Sequence, residues 1–179
     1  MLFDRLKLWP IHIQSIGLAV LSKRPCTRMK PFTRKASVNW KGTRARGKGT
    51  MSTTSAALNK VPYGHGRYTE NKGTNPPELI AAAHAGSFSI ALASELGDAG
   101  YHPMRVDTTA TVTMEDGAAG WTMTQIHLDV IAVVPHARQC DFIDATLRAK
   151  ASCPVSRLVN ANVSMRAKLK RLQGKATTI

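Results

Sequence analysis

Long apolar runs are missing from this sequence. No stretch approaches the roughly 18–20 uninterrupted apolar residues that a membrane span needs, so no span is expected. Cysteine is scarce as well. Cys26, Cys140 and Cys153 are too few and too scattered for a disulfide scaffold, and no C-x-x-C spacing offers a structural zinc site. A reducing, cytoplasmic setting is therefore the expectation. His65, His102, His127 and His136 form no H-x-x-x-H or H-E-x-x-H pattern, so neither a metal nor another cofactor is expected. Internal repeats, low-complexity tracts and a G-x-S-x-G nucleophile elbow are absent too.

Acidic residues are nearly absent from the first 50 positions, where Asp4 stands against 12 Lys/Arg. Residues 51–179 carry 13 Lys/Arg against 10 Asp/Glu, so only +3 of the total charge of +14 lies there. A basic arm binds polyanions non-specifically through counterion release. A specific reader would also need a recognition helix, a zinc finger or stacking aromatics, and none is found, so no specific nucleic-acid partner is expected.

What remains is an ordinary globular composition. A chain of 179 residues with 43% hydrophobic content suits one domain with a real core. Residues 1–28 read poorly as part of it. The apolar run Ile11–Leu21 is broken by His12, Gln14 and Ser15, and Ser22-Lys23-Arg24-Pro25 is no secretory cleavage site. A transit peptide remains open, but the preferred reading is a disordered or dispensable leader with Met29 as functional start. A single domain over 29–179 follows.

The alternation of Phe32–Trp40 predicts a strand, and Thr-rich Thr50–Ser55 a second. Pro62, Gly64 and Gly66 mark a loop leading Arg67 and Tyr68 into a short third strand. Asn75-Pro76-Pro77-Glu78 then starts a helix: asparagine caps, proline suits the first turn, and glutamate three residues on closes a capping box. Leu79–Leu96, rich in alanine and nearly uncharged until Glu95, predicts a buried helix roughly 33 Å long, ending at Gly97 or Gly100.

Val106–Met114 and Trp121–Val134 alternate as two antiparallel strands around a Glu115–Gly120 turn. Phe142–Lys150 is an amphipathic helix with Phe142, Ile143, Ala145, Leu147 and Ala149 as its apolar positions. A helix restarts at Pro154, and Val163–Leu169 is a last strand. Strand runs separated from helix runs indicate α+β, not a parallel α/β sheet. Trp40 and Trp121 read as core or interface aromatics, and Cys140 as a surface thiol. His84 reads as a buried, hydrogen-bonded histidine, and Ser87 as a small polar residue bonding to the carbonyl four positions back.

Four stretches in order resemble the OsmC/Ohr family of thiol peroxidases. They are Arg46-Gly47-Lys48-Gly49-Thr50; Gly73-Thr74-Asn75-Pro76 leading to Ala81-Ala82-Ala83-His84-Ala85-Gly86; Asp107-Thr108-Thr109-Ala110; and Cys153-Pro154-Val155-Ser156. His84-Ala85 and the Asp107 stretch are closer to the OsmC branch. The resemblance, covering about Met29–Leu169, implies a two-fold homodimer with antiparallel sheets wrapped around long buried central helices. It also implies organic hydroperoxide as substrate, an external thiol as reductant and a place in oxidative-stress defence.

In that family a cysteine on the buried helix attacks the peroxide, becomes a sulfenic acid and is trapped by a second cysteine. Cys153 matches the resolving position, and Arg67, six residues before Gly73, matches the arginine that lowers the thiol pKa. The attacking position holds Ser87. A serine hydroxyl is un-ionised at neutral pH and cannot cycle through sulfenate and disulfide. Pro77 occupies the family's glutamate position ten residues earlier, with Glu78 displaced by about 100° round the helix. Both changes argue against the ordinary two-cysteine cycle.

Three readings follow. In one, a catalytically inactive protein binds an apolar peroxide- or fatty-acid-like ligand at a pocket of Arg67, Ser87, Glu78 and His84. In another, Cys153 serves alone as a one-cysteine reductase. In the third, serine stands for cysteine in this sequence version only. A Ser87–His84 hydrolase lacks an acid to orient the histidine.

Overall fold

The computed structural model describes residues 31–43, 46–64, 73–118 and 120–170. Contacts divide the chain into units Met1–Arg34 and Lys35–Ile179. Of the first, only 31–34 are described; there the Arg34 guanidinium lies 5.1 Å from the Phe32 ring centre. The leader 1–28 and Arg67–Tyr68 lie outside the described residues.

Three strands open the second unit: β1 (Ala36–Lys41), β2 (Lys48–Thr53) and β3 (Val61–Tyr63), antiparallel in the order β1-β2-β3. The third strand occupies a stretch read as loop because of Pro62. Within its sheet it is an edge strand on β2, with a single bridge from Tyr63 to Thr74 on its other side, and at an edge a residue without an N–H is tolerated. Gly73 follows with φ +129, and a Cβ there would lie 2.5 Å from the Pro62 carbonyl oxygen, so only glycine lets the chain pass.

Helix α1 (Pro76–Asp98) starts as its sequence predicts. Asn75 Oδ1 accepts from the Glu78 N–H at 2.9 Å, while the Asn75 amide donates to the Glu78 carboxylate at 3.3 Å. Glu78 thus closes the cap on the asparagine side chain. One expectation about α1 changes, that of burial all round. By length and composition it could cross a membrane, the one such helix among the described residues. It packs instead against β4 (Arg105–Gly117), α2 (Gln139–Ser152) and α3 (Pro154–Leu158). Nor is it buried all round within one chain. His84, Phe88, Leu92 and Leu96, spaced by four, are fully buried, whereas Ile90 is 75% exposed. One sheet and two short helices cover only one side of a cylinder.

Strand β4 pairs antiparallel with β5 (Gly120–Val133) through a turn tighter than expected, with Gly117 opposite Gly120. A bulge at Thr113/Met114 leaves Thr124 as the extra residue. The alternation holds: Ile126, Leu128, Val130 and Ala132 face the core, where α1 and α2 lie. In α2 the buried row is Phe142, Ala145, Thr146 and Ala149; Ile143 and Leu147, read as apolar-face residues, are exposed.

Strand β6 (Asn162–Lys170) pairs parallel to β5, giving the order β4-β5-β6. The sheet is mixed, which corrects the expectation of wholly antiparallel sheets. Helices α2 and α3 carry the chain back to the starting end of β5, so the next strand must run the same way.

Burial holds the His84 imidazole below its ordinary value of 6.5, so the folded chain keeps it neutral where the unfolded chain protonates. That contribution to stability is fully present above pH 6.5 and is lost as pH falls through the lower, folded-state value. Thermal melts at about pH 7.5 and about pH 5.5 will show a lower Tm at the acid end, and His84→Gln will narrow the difference. Leu92→Ala, which opens a void at a fully buried position, will cost about 2–5 kcal/mol in urea unfolding.

Candidate active site

Proline makes the site. A residue before proline is disfavoured in helical conformation, and Cys153, preceding Pro154, takes φ −58 and ψ 121. That extended residue ends α2 and lets Pro154 begin α3 at its first position. The Cys153 N–H still donates to the Ala149 carbonyl at 2.9 Å, so the chain bends without losing that bond. The thiol is fully buried against α1.

There it meets Ser87. Cys153 Sγ lies 3.3 Å from Ser87 Oγ, a contact between residues 66 positions apart in sequence. One turn along, His84 Nε2 lies 2.8 Å from Ser156 Oγ. The spacing of three between His84 and Ser87 on α1 matches that between Cys153 and Ser156, so the two rows meet as two rungs. Ser87 does not bond back to the helix as expected; Ser89 does, donating to the Ala85 carbonyl at 2.9 Å.

Burial pushes the Cys153 thiol up, but hydrogen bonds from the Ser87 hydroxyl, the Ser156 N–H and hydroxyl, and the Val155 N–H outweigh it. The thiol ends below its ordinary value. Ser87 offers an oxygen that donates or accepts a hydrogen bond; the sulfur opposite it can be oxidised.

The expected residues divide as follows. Ser87, Cys153 and His84 come together. Arg67 lies outside the described residues. Glu78 is nine residues before Ser87, which places it half-way round the helix and about 13.5 Å along its axis, engaged in the cap. His84 faces Ser156 and not Ser87, so the geometry does not form a serine–histidine pair at Ser87. Ser156 was not singled out from the sequence, although it stands one helical turn after Cys153. Cys140 is exposed, 3.7 Å from the Asp141 carboxylate. Among the described residues no cluster of three His, Cys, Asp or Glu could hold a metal. A cavity of about 280 Å³ lies elsewhere, lined by Tyr101, Arg138, Asp141 and Arg148 among others. Its arginines are held by acids, Arg138 by Asp141 and Arg148 by Glu95.

A sequence model of the family described as OsmC-like protein matches residues 69–168. Peroxiredoxin OsmC of Escherichia coli (strain K12) is 44% identical over 138 residues, spanning 76% of this chain and 96% of that protein. Peroxiredoxin OsmC of Shigella flexneri matches with the same figures. An OsmC-like protein from Vibrio cholerae superposes with TM-score 0.64 at 14% identity, over 77% of this chain and 100% of that one. The organic hydroperoxide resistance protein OhrB of Bacillus subtilis does so with TM-score 0.55 at 22% identity, over 78% and 98%. At such identities the structural likeness shows the fold alone. The sequence matches go further, since they span α1, both helices around Cys153 and the strand that follows. This chain belongs to the OsmC family.

Proposed function

We propose that this chain reduces organic hydroperoxides at the Ser87–Cys153 contact, with Cys153 as its one working sulfur and an external thiol as reductant. The observation that carries the reading is the buried Cys153 thiol, made more acidic than an ordinary cysteine in part by the hydroxyl that stands at the family's attacking position. The Cys153 thiolate attacks the terminal peroxide oxygen and the O–O bond breaks. The alkoxide leaves and takes a proton as the alcohol, while the sulfur becomes a sulfenic acid. A first external thiol condenses with it, releasing water; a second releases Cys153 and an external disulfide. Arg67, from its register six residues before Gly73, is proposed to hold the peroxide. A reducing, cytoplasmic setting belongs to the same proposal and agrees with free thiols at Cys140 and Cys153.

Full burial of Cys153 favours a second reading, in which the chain only binds an apolar peroxide- or fatty-acid-like molecule. Ala82, Ala83, Gly86 and Ile90 would offer the apolar surface, all exposed on α1.

The same surface supports a two-fold dimer. Ala82, Gly86 and Ile90 form a row at every fourth residue, and nothing lies within 4 Å of a Cβ built on Gly86. Small residues let a second helix approach closely, and an exposed isoleucine gains from being covered. In the first sheet Val38 and Trp40 are 46% and 38% exposed.

Consumption of cumene hydroperoxide with dithiothreitol separates the readings. The chain is expected to turn over slowly, Cys153→Ala to abolish turnover, and Ser87→Cys to raise it at least about tenfold, equivalent to about 1.4 kcal/mol of barrier. An inert parent beside an active Ser87→Cys would make this a binding protein on a disarmed scaffold. Turnover that survives Cys153→Ala would overturn the role of that sulfur. Ile90→Glu is expected to shift the sedimentation coefficient from dimer towards monomer; a parent that sediments as a monomer rules the dimer out.

A further inference from the structure

The buried histidine has no part in the steps above, yet it stands one hydrogen bond from the group that contacts the sulfur. We propose that His84 is a positioning residue for Cys153: it fixes the Ser156 hydroxyl so that its O–H points at the sulfur and favours the thiolate form. The inference deepens the proposed function and rests on Cys153 being the working sulfur.

The tautomer carries the argument. His84 is fully buried and neutral, with Nε2 2.8 Å from Ser156 Oγ and Nδ1 buried without a hydrogen-bond partner among the described residues. Were the proton on Nδ1, a buried N–H donor would be orphaned, which folded proteins avoid more strictly than an unused acceptor. Nε2 would then also draw the Ser156 proton away from the sulfur. With the proton on Nε2, the idle atom is only a lone pair, and Nε2–H donates to Ser156 Oγ. Ser156 has one proton of its own, and it is free to point at Cys153. Ser156 stands one helical turn after Cys153 on α3, and its hydroxyl is among the groups that lower the thiol's pKa.

The result is a chain in one direction, His84 Nε2–H to Ser156 Oγ and Ser156 O–H to Cys153 Sγ, while the thiol itself donates to Ser87 Oγ at 3.3 Å across to α1. On ionisation the thiol proton leaves to solvent, and the Ser87 hydroxyl turns to donate to the thiolate. No other bond is made or broken. Polarising a donor through a second donor strengthens the last hydrogen bond of such a chain.

Charged groups on the packed elements do not take over this role. On α1, Glu95 is tied to Arg148 at 2.8 Å and to Ser152 at 3.2 Å, Glu78 is in the cap, and Asp98 lies in the exposed last turn. On α2, Asp141 pairs with Arg138, Cys140 and Asp144 are exposed, and Lys150 is half-buried. On α3, Arg157 is exposed. None of these contributes to the shift of Cys153, whose causes are burial and the hydroxyl and N–H donors of Ser87, Val155 and Ser156.

The test is a titration of Cys153 by ultraviolet thiolate absorbance, in the full chain carrying Cys26→Ser and Cys140→Ser so that one thiol is observed. Ser156→Ala is expected to raise the apparent pKa by about one unit, a tenfold fall in the thiolate-to-thiol ratio at any given pH. His84→Leu should raise it by about half a unit. His84→Gln, which keeps an N–H donor near Nε2, should restore the parent value. A merely structural histidine would not be rescued in this way. Unchanged titration in Ser156→Ala overturns the inference, and so does a His84→Gln value equal to that of His84→Leu. Should His84→Leu not fold, Ser156→Ala decides alone. The readout needs no peroxide. Shifted titration without turnover would keep the relay and remove the reductase; turnover with unshifted titration would do the reverse.

Discussion

Every part of the site hangs from the packing of one row on α1. His84, Phe88, Leu92 and Leu96 recur at every fourth residue and are fully buried. Such a row runs nearly along the helix axis, so one line of side chains is enough to seat the helix on β4 and against α2 and α3. Three of the four residues are apolar and supply burial energy. The fourth is a histidine whose polar edge meets α3 at Ser156. Moving the register of α1 by one residue would turn His84 and Ser87 away from Ser156 and Cys153 together.

The second constraint is local and covalent. Pro154 denies Cys153 a helical conformation, so a buried thiol sits at the bend between two helices. Backbone N–H groups at that bend have no partner within α3 and are available to a thiolate. A serine at position 87 offers the sulfur one hydroxyl and no second sulfur, so a hydrogen bond crosses the contact and a disulfide cannot form there.

Some elements were legible because their signals are short-range. The Asn75 cap, the restart at Pro154 and the alternation of β4 and β5 each depend on residues within a few positions of one another. Others were not. Pro62 speaks against a strand unless that strand is known to be an edge. An apolar helix indicates burial without indicating what covers it, and Ile90 shows that one chain covers only part. The parallel entry of β6 was present in the strand–helix–helix–strand order, but nothing local to Asn162–Lys170 encodes which neighbour it joins. Likewise, Ile143 and Leu147 have the hydropathy of core residues and stand exposed, because the row facing α1 runs through Phe142, Ala145, Thr146 and Ala149.

By itself the sequence determined most of the elements and the family resemblance, since capping, alternation and motif order are properties of neighbouring residues. It also determined that Ser87 cannot do a thiolate's chemistry, because that follows from the atom alone. Only the tertiary structure decided that Ser87 and Cys153 touch, that His84 faces Ser156 instead of Ser87, and that the thiol's pKa is pulled below its ordinary value. Those are contacts between α1 and the α2–α3 bend across more than sixty intervening residues. Their partners are chosen by how helices seat on a sheet, which no local signal records.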